Sequence, residues 1–316
     1  MSAIERAVDL VLAEPLARLA AGGDAVGFVG ADVPIAVLLA TGRPFGHLPW
    51  SSRGDTPWAD EWLESSFPFW ARSILEQWHA GAYEGLRTVV FSRAEDASQR
   101  LYYYVRELQR RGRLAGPAPT MFDVALVRRR SSLEHTAAAI LDLAAELGVT
   151  GAALEAGLER AEALAIALRD WQARRAADGP FHERFARAAL WSDPTRWIEA
   201  APGGENETGR ARVLLAGSVP PDDRLHRAVE AAGACVVAEA HVHAFDRLTV
   251  SAGRTGDTPA RRLAEHVVST SVAPRAFFDR AAWVVERAKA ARAAAVVLWL
   301  TREDEALAWD VPAQRA

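Results

Sequence analysis

Arg212-Val213-Leu214-Leu215-Ala216-Gly217-Ser218-Val219-Pro220-Pro221-Asp222-Asp223 decides the fold. A short continuous apolar run reads as a strand buried on both faces. Gly217-Ser218 then turns the chain, and Pro220 to Asp223 start a helix. The helix runs to about Ala232, Gly233 ends it, and Cys235-Val236-Val237-Ala238 is a second strand. Two like strands joined by one helix form a βαβ unit, which places them parallel in one sheet. The rest of the second half follows suit, with a helix over Ala276–Ala293 and a strand over Ala295–Leu300.

The same plan is legible upstream. Ala25-Val26-Gly27-Phe28-Val29 reads as a buried strand, followed by Gly30, Asp32 as an N-cap, Pro34 in the first helical turn and Gly42 as the stop. Arg43 to Trp58 reads as a loop. A helix fits Pro68–Ala80, with Trp70, Ile74, Leu75 and Trp78 at helical spacing, a strand fits Leu86–Phe91, and Asp96 caps a further helix. Ser131 to about Trp197 is nearly all helix-forming, and the polar, glycine-rich Ala201–Arg210 reads as a linker. The expected fold class is therefore α/β: two Rossmann-like or flavodoxin-like domains with parallel sheets, at 1–130 and 201–316, around a helical connecting segment at 131–200.

Composition narrows the function. The chain has 316 residues and a formal net charge of -4, so there is no global basic footprint and nucleic acid is not an expected partner. The longest apolar run near the C-terminus, Ala293–Leu300, is far below the roughly 20 residues of a membrane span. With no signal-peptide core at the N-terminus, a cytoplasmic protein without membrane contact is expected. The single cysteine, Cys235, makes neither an internal disulfide nor a cysteine-ligated cluster. Lys289 is the one lysine among 37 basic residues, which removes most Schiff-base mechanisms.

Ligands in such folds bind at the carboxyl ends of parallel strands, where backbone N–H groups converge. Gly30 and the Gly217-Ser218 turn lie at such ends; neither belongs to a dinucleotide or P-loop motif, and a simple turn requires the same glycines. Glu239, His241 and His243 alternate along the strand from Cys235, a pattern that suits a metal-dependent lyase or hydrolase or, equally, the polar face of an edge strand. Glu95-Asp96, where a strand turns into a helix, suits a general acid or a helix cap. His47 lies in an aromatic loop, as a base or a hydrogen-bonded structural residue, and the tryptophans between Trp50 and Trp78 line a pocket or a core.

The order of these segments resembles the D-component family of 2-hydroxyacyl-CoA dehydratases and their benzoyl-CoA reductase relatives. The resemblance rests on Gly27-Phe28 with Val33-Pro34 and Ala40-Thr41-Gly42-Arg43-Pro44, and on Pro68-Phe69-Trp70-Ala71-Arg72-Ser73 with Gly81-Ala82-Tyr83. It rests further on Val89-Val90 through Asp96 with Arg100-Leu101-Tyr102, and on Leu214 to Ser218 with Ala232-Gly233-Ala234. It implies an acyl-CoA or small acid ligand, with His47, Glu95, Asp96 and His243 as catalytic candidates. Gly30, Arg72, Gly217, Ser218 and Arg247 are then the ligand contacts. It also implies a homologous partner subunit, in a homo- or heterodimer. The positions that the family fills with [4Fe–4S] cysteines fall at Phe67, Glu95 and His243. No [4Fe–4S] cofactor is therefore expected in this chain, which is read as a cluster-less relative that binds an acyl-CoA or serves as a non-redox subunit.

Overall fold

The computed structural model describes residues 3–15, 19, 23–174, 185, 188, 210–243 and 257–315. It holds the expected α/β fold with two parallel sheets. The first contains β1 (Ala25–Val29), β2 (Phe45–His47), β3 (Leu86–Ser92) and β4 (Ala118–Phe122), in the order β2-β1-β3-β4. The register pairs Phe28 with His47 and with Val90, and Val90 with Thr120. The second contains β5 (Ala211–Gly217), β6 (Ala234–Ala240) and β7 (Ala295–Trp299), in the order β6-β5-β7. There Leu215 sits between Glu239 and Val297.

Both sheets share one winding rule. The first strand of each half is central, the second pairs on one side of it and the third on the other. The connection reverses at β1/β3 and at β5/β7, and each reversal leaves a crevice at the carboxyl ends of those strands.

Side-chain alternation assigns the layers. Val26, Phe28 and Val90 face one core, which they share with α2 (Ile35–Ala40), α6 (Arg130–Glu146) and α7 (Gly151–Arg174). Ala25, Val29, Val89 and Phe91 face the other, covered by α3 (Pro57–Trp62), α4 (Phe69–His79) and α5 (Asp96–Arg110). α6 and α7, the described helices of the middle section, thus lie on the first sheet. So does α9 (Pro259–Thr270), late in the chain: Ala260, Leu263, Ala264 and Val267 recur at helical spacing and join the first core. Arg262 fixes it to α7 through Glu155 at 3.2 Å and through Glu162. The second sheet, flanked by α8 (Arg224–Ala231) and α10 (Arg280–Ala290), has a small core of its own around Leu214, Ala216, Ala240 and Val284. The short helices α11 (Glu305–Ala308) and α12 (Val311–Arg315) follow β7, and α1 (Ala3–Ala13) precedes β1.

Several local expectations need correction. The stretch from Arg43 contains β2, whose three residues are too few for any periodicity to register. β4 contains Pro119, which argues against a strand in sequence; here it lies on the sheet edge, where a missing N–H breaks no ladder. Asp96 is the first residue of α5 and not its cap: the cap position is Glu95, and the Asp96 carboxylate faces Arg275 at 3.2 Å and Arg100 at 3.6 Å. Asp32 is not the cap of α2 either; that position is Pro34. The helix placed over Ala276–Ala293 begins only at Arg280, where the Asp279 carboxylate accepts the N–H of Ala282 at 2.9 Å. Among the described residues, no single helix is long and apolar enough to cross a membrane.

Candidate functional site

The strand ends of the two halves meet where the His47 and His243 rings touch. At the first crevice, β1 ends in Gly30, whose φ of +89° lets the chain turn; a Cβ there would lie 2.8 Å from Ser98 Oγ. Ser98 is held in place by donating to the Val29 carbonyl at 3.0 Å. Asp32 follows in the left-handed region at φ +61°, an uncommon conformation outside glycine, and Ser271 donates its hydroxyl to the Asp32 carboxylate. Glu95 stands at the end of β3, on the other side of the same crevice.

At the second crevice, Gly217 turns the chain at φ +108° and packs so tightly that a Cβ would lie 2.2 Å from the Trp299 carbonyl oxygen. Ser218 donates its N–H to that carbonyl at 2.7 Å and its hydroxyl to Asp304 at 2.7 Å, and its Oγ accepts the Thr301 N–H at 3.1 Å. The ends of β5 and β7 are thereby locked together.

Electrostatics connects the crevices. Glu95 is only partly exposed; burial, then the charges of Asp304 and Asp32, push its carboxyl pKa up to about 8. Glu95 therefore keeps its proton at neutral pH. Burial likewise raises the Asp304 carboxyl, against the opposing pull of the Ser218 hydrogen bond and of Arg280. The ends of the second strand of each half also meet. His47, 4% exposed, contacts the His243 ring edge-on at 5.0 Å between centroids and Phe28 at 5.3 Å, with its Nδ1 2.8 Å from the Leu48 carbonyl oxygen.

The structure thus places His47, Glu95, His243, Gly30, Gly217 and Ser218 at or just beyond the carboxyl ends of the strands. Asp96 lies just outside, in its arginine pairs. Arg72 is placed elsewhere: it donates to the Phe67 carbonyl at 3.2 Å, to the Glu64 carbonyl at 2.8 Å and to Asp60, bracing the α3–α4 connection. Arg247 lies outside the described residues. Asp32, Asp304 and Ser271 were missed as site residues in sequence. Asp304 had a signal, since it follows the third strand of its half much as Glu95 follows the third strand of the first; Ser271 had none.

Glu239 and His241 come together, but His243 turns away from them toward His47. Glu239 lies between two imidazoles, with Oε1 2.7 Å from His226 Nε2 and Oε2 3.4 Å from His241 Nε2. Burial alone would raise the Glu239 carboxyl; the His241 charge and the His226 hydrogen bond outweigh it and hold the group well below the usual carboxylate range. The His243 N–H donates to His241 Nδ1 at 3.2 Å. Among the described residues no set of three or more His, Cys, Asp or Glu side chains is arranged to hold a metal ion.

The comparison that decides the family is with the model described as 2-hydroxyglutaryl-CoA dehydratase, D-component, which matches residues 32–313. The chain belongs to that family. No curated protein matched the chain. As a member of the D-component family it departs from the thiolate chemistry that the resemblance implies. Phe67 is buried, with the Arg100 guanidinium 4.1 Å from its ring centroid and the Tyr104 ring edge-on at 5.4 Å. Glu95 and His243 offer a carboxyl and an imidazole. Cys235, 2% exposed, lies within β6 and points its thiol at the Val236 carbonyl at 3.8 Å. These residues do not fit a thiolate-held [4Fe–4S] cluster.

Proposed function

We propose that this D-component relative works as a dehydratase-like subunit without a cluster of its own, binding an acyl-CoA or a related acid between its two sheets. What supports this reading is the two switch points, whose strand ends meet at the His47 and His243 rings, together with a Glu95 carboxyl that burial pushes up to about 8. A carboxyl that keeps its proton is a hydrogen-bond donor, and a thioester or carboxylic oxygen is the acceptor it suits. Glu95 is then the acid of the cleft, His47 and His243 flank it as a paired imidazole contact, and the Gly30 and Gly217-Ser218 turns shape the walls. The tryptophans from Trp50 to Trp78 pack on the core beneath α3, α4 and α5, the second of the two roles their sequence allowed.

Isothermal calorimetry with short acyl-CoA thioesters tests this. A saturable signal that Glu95→Ala weakens about tenfold, the worth of one well-placed hydrogen bond, is the expected result. Absence of heat at millimolar ligand rejects the reading.

The family description, a component, favours a second reading for the same fold: a non-redox subunit beside a homologous, cysteine-bearing partner. Native mass spectrometry of the protein purified from its own cells distinguishes the two. A stoichiometric larger homologue supports the subunit reading; a lone chain or a homodimer rejects it.

A further inference from the structure

The second half buries a charged cluster to which the acyl-CoA reading gives no task. Glu239 is fixed through its backbone: β6 pairs it with Leu215 of β5, and its carbonyl accepts the Arg287 Nε–H of α10 at 2.8 Å. Its carboxylate meets Nε2 of His226, on α8, at 2.7 Å and faces Nε2 of His241 at 3.4 Å. All three side chains are buried. A carboxylate only accepts, so His226 Nε2 carries a proton. An apolar residue of similar volume would pack at least as well as a buried ionic group, so stability alone does not account for the cluster.

Hydrogen-bond polarity fixes the tautomers along this chain of contacts. The His243 N–H donates to His241 Nδ1 at 3.2 Å. That nitrogen therefore holds a lone pair, and His241 carries its proton on Nε2, the nitrogen that faces Glu239. In the acidic range where the Glu239 carboxyl titrates, imidazoles take a second proton; at neutral pH the Nδ1 lone pair is what His243 requires. His243 itself lies beyond the end of β6, where the ladder no longer dictates its course. Its ring meets His47 edge-on at 5.0 Å between centroids. His47 is set from its own side, since its Nδ1 lies 2.8 Å from the Leu48 carbonyl oxygen, which only accepts.

We propose that Glu239 is a positioning residue for the imidazole pair: it holds His241 in the Nε2–H tautomer, whose Nδ1 anchors the His243 backbone and so sets the His243 ring against His47. The alternating Glu239, His241 and His243 then act in series, as a fixed carboxylate, an imidazole whose tautomer it selects, and an imidazole presented where the two halves meet. His226 secures the carboxylate from α8. The inference takes from the acyl-CoA reading only the place of His47 and His243 in the site.

Nuclear magnetic resonance of the full chain, with heavy nitrogen in its 8 histidines, tests this without any ligand. Long-range proton–nitrogen correlations at about pH 7.5, above the ordinary histidine range, read each tautomer directly. The expected wild-type spectrum shows His241 as the Nε2–H form and a cross-relaxation contact between the His47 and His243 rings. Glu239→Gln releases His241 into both tautomers and loses that contact. His241→Asn, whose Oδ1 replaces the Nδ1 acceptor, keeps the contact and His241→Leu loses it, a pair that reads the same link if Glu239→Gln does not fold. His241 found as the Nδ1–H form or doubly protonated overturns the proposal, as does a wild type without the ring contact. So does a contact that survives in Glu239→Gln or in His241→Leu. Loss of the contact in His241→Asn as well as in His241→Leu also overturns it, because packing and not the Nδ1 bond then places His243. A failed acyl-CoA titration beside the expected spectra rejects the ligand reading alone.

Discussion

Glu239 is an ionised carboxylate, 5% exposed, whose oxygens are both within reach of buried imidazoles. Removing one partner of a buried charged set leaves the rest uncompensated, so Glu239→Gln should cost about 3 kcal/mol at pH 7. The sign of its pH dependence is set by the lowered pKa: the carboxylate stabilises the fold above the unfolded value and that contribution disappears as pH falls through the folded value. Urea titrations of wild type and variant should therefore converge on acidification. Glu95 behaves in the opposite way. Its unfolded pKa is near 4.5 and its folded one about 8, so between those values the unfolded chain releases a proton that the folded chain retains. Stability is lost progressively as pH rises through that window and no further above it. Glu95→Gln removes the dependence, so its stability relative to wild type should improve from about pH 4.5 to about pH 8 and then stay level. A variant that loses ground over that window would mean that Glu95 is ionised in the fold.

The βαβ unit from Arg212 to Ala238 was readable because its strands are continuous apolar runs and its turn is marked by Gly, Ser and Pro. The turn also carries the sharpest element-level prediction. Gly217 combines a φ of +108° with a neighbouring backbone oxygen that cannot swing aside, so Gly217→Ala should cost at least about 2–3 kcal/mol, read as a lowered melting temperature. If the cost is below that of an ordinary surface alanine, Gly217 does not hold β5 against β7. By contrast, β2 and β4 left little trace in the sequence. Phe45-Gly46-His47 is one pleat long, and Pro119 reads against a strand until the sheet order shows it at an edge. The error with Asp32 has a similar origin. An aspartate two residues before a proline carries the N-cap signal, but Ser271, which captures its carboxylate, lies 239 residues away. Local sequence cannot encode such a partner. The candidate site followed the same division: residues at strand ends were legible, whereas their hydrogen-bond partners from the other half were not.

On the scale of the whole molecule, the two halves repeat one winding order without repeating residues, because what the order requires is a buried central strand and a turn, which many sequences supply. The break at Ala201–Arg210 reads as a natural place to divide the chain, yet α9 carries the second half's apolar stripe back into the first core. Ala260, Leu263, Ala264 and Val267 cover α6 and α7, so a fragment that stops at Arg210 must leave that face exposed to water. Leu263 is 1% exposed, and Leu263→Ala in the full chain should cost about 2–5 kcal/mol, as for a buried leucine. The fragment should do worse: it should bind a hydrophobic dye such as ANS and unfold without a cooperative transition, while co-expression with residues 211–316 should restore one. The dye response and the Leu263 variant discriminate together. If the fragment melts cooperatively, binds no dye, and Leu263→Ala is silent, α9 is only a passenger on the first core and the molecule divides where its sequence does. If both effects appear, the two halves fold as one interdependent unit, held together by the apolar face that α9 lays on the first core.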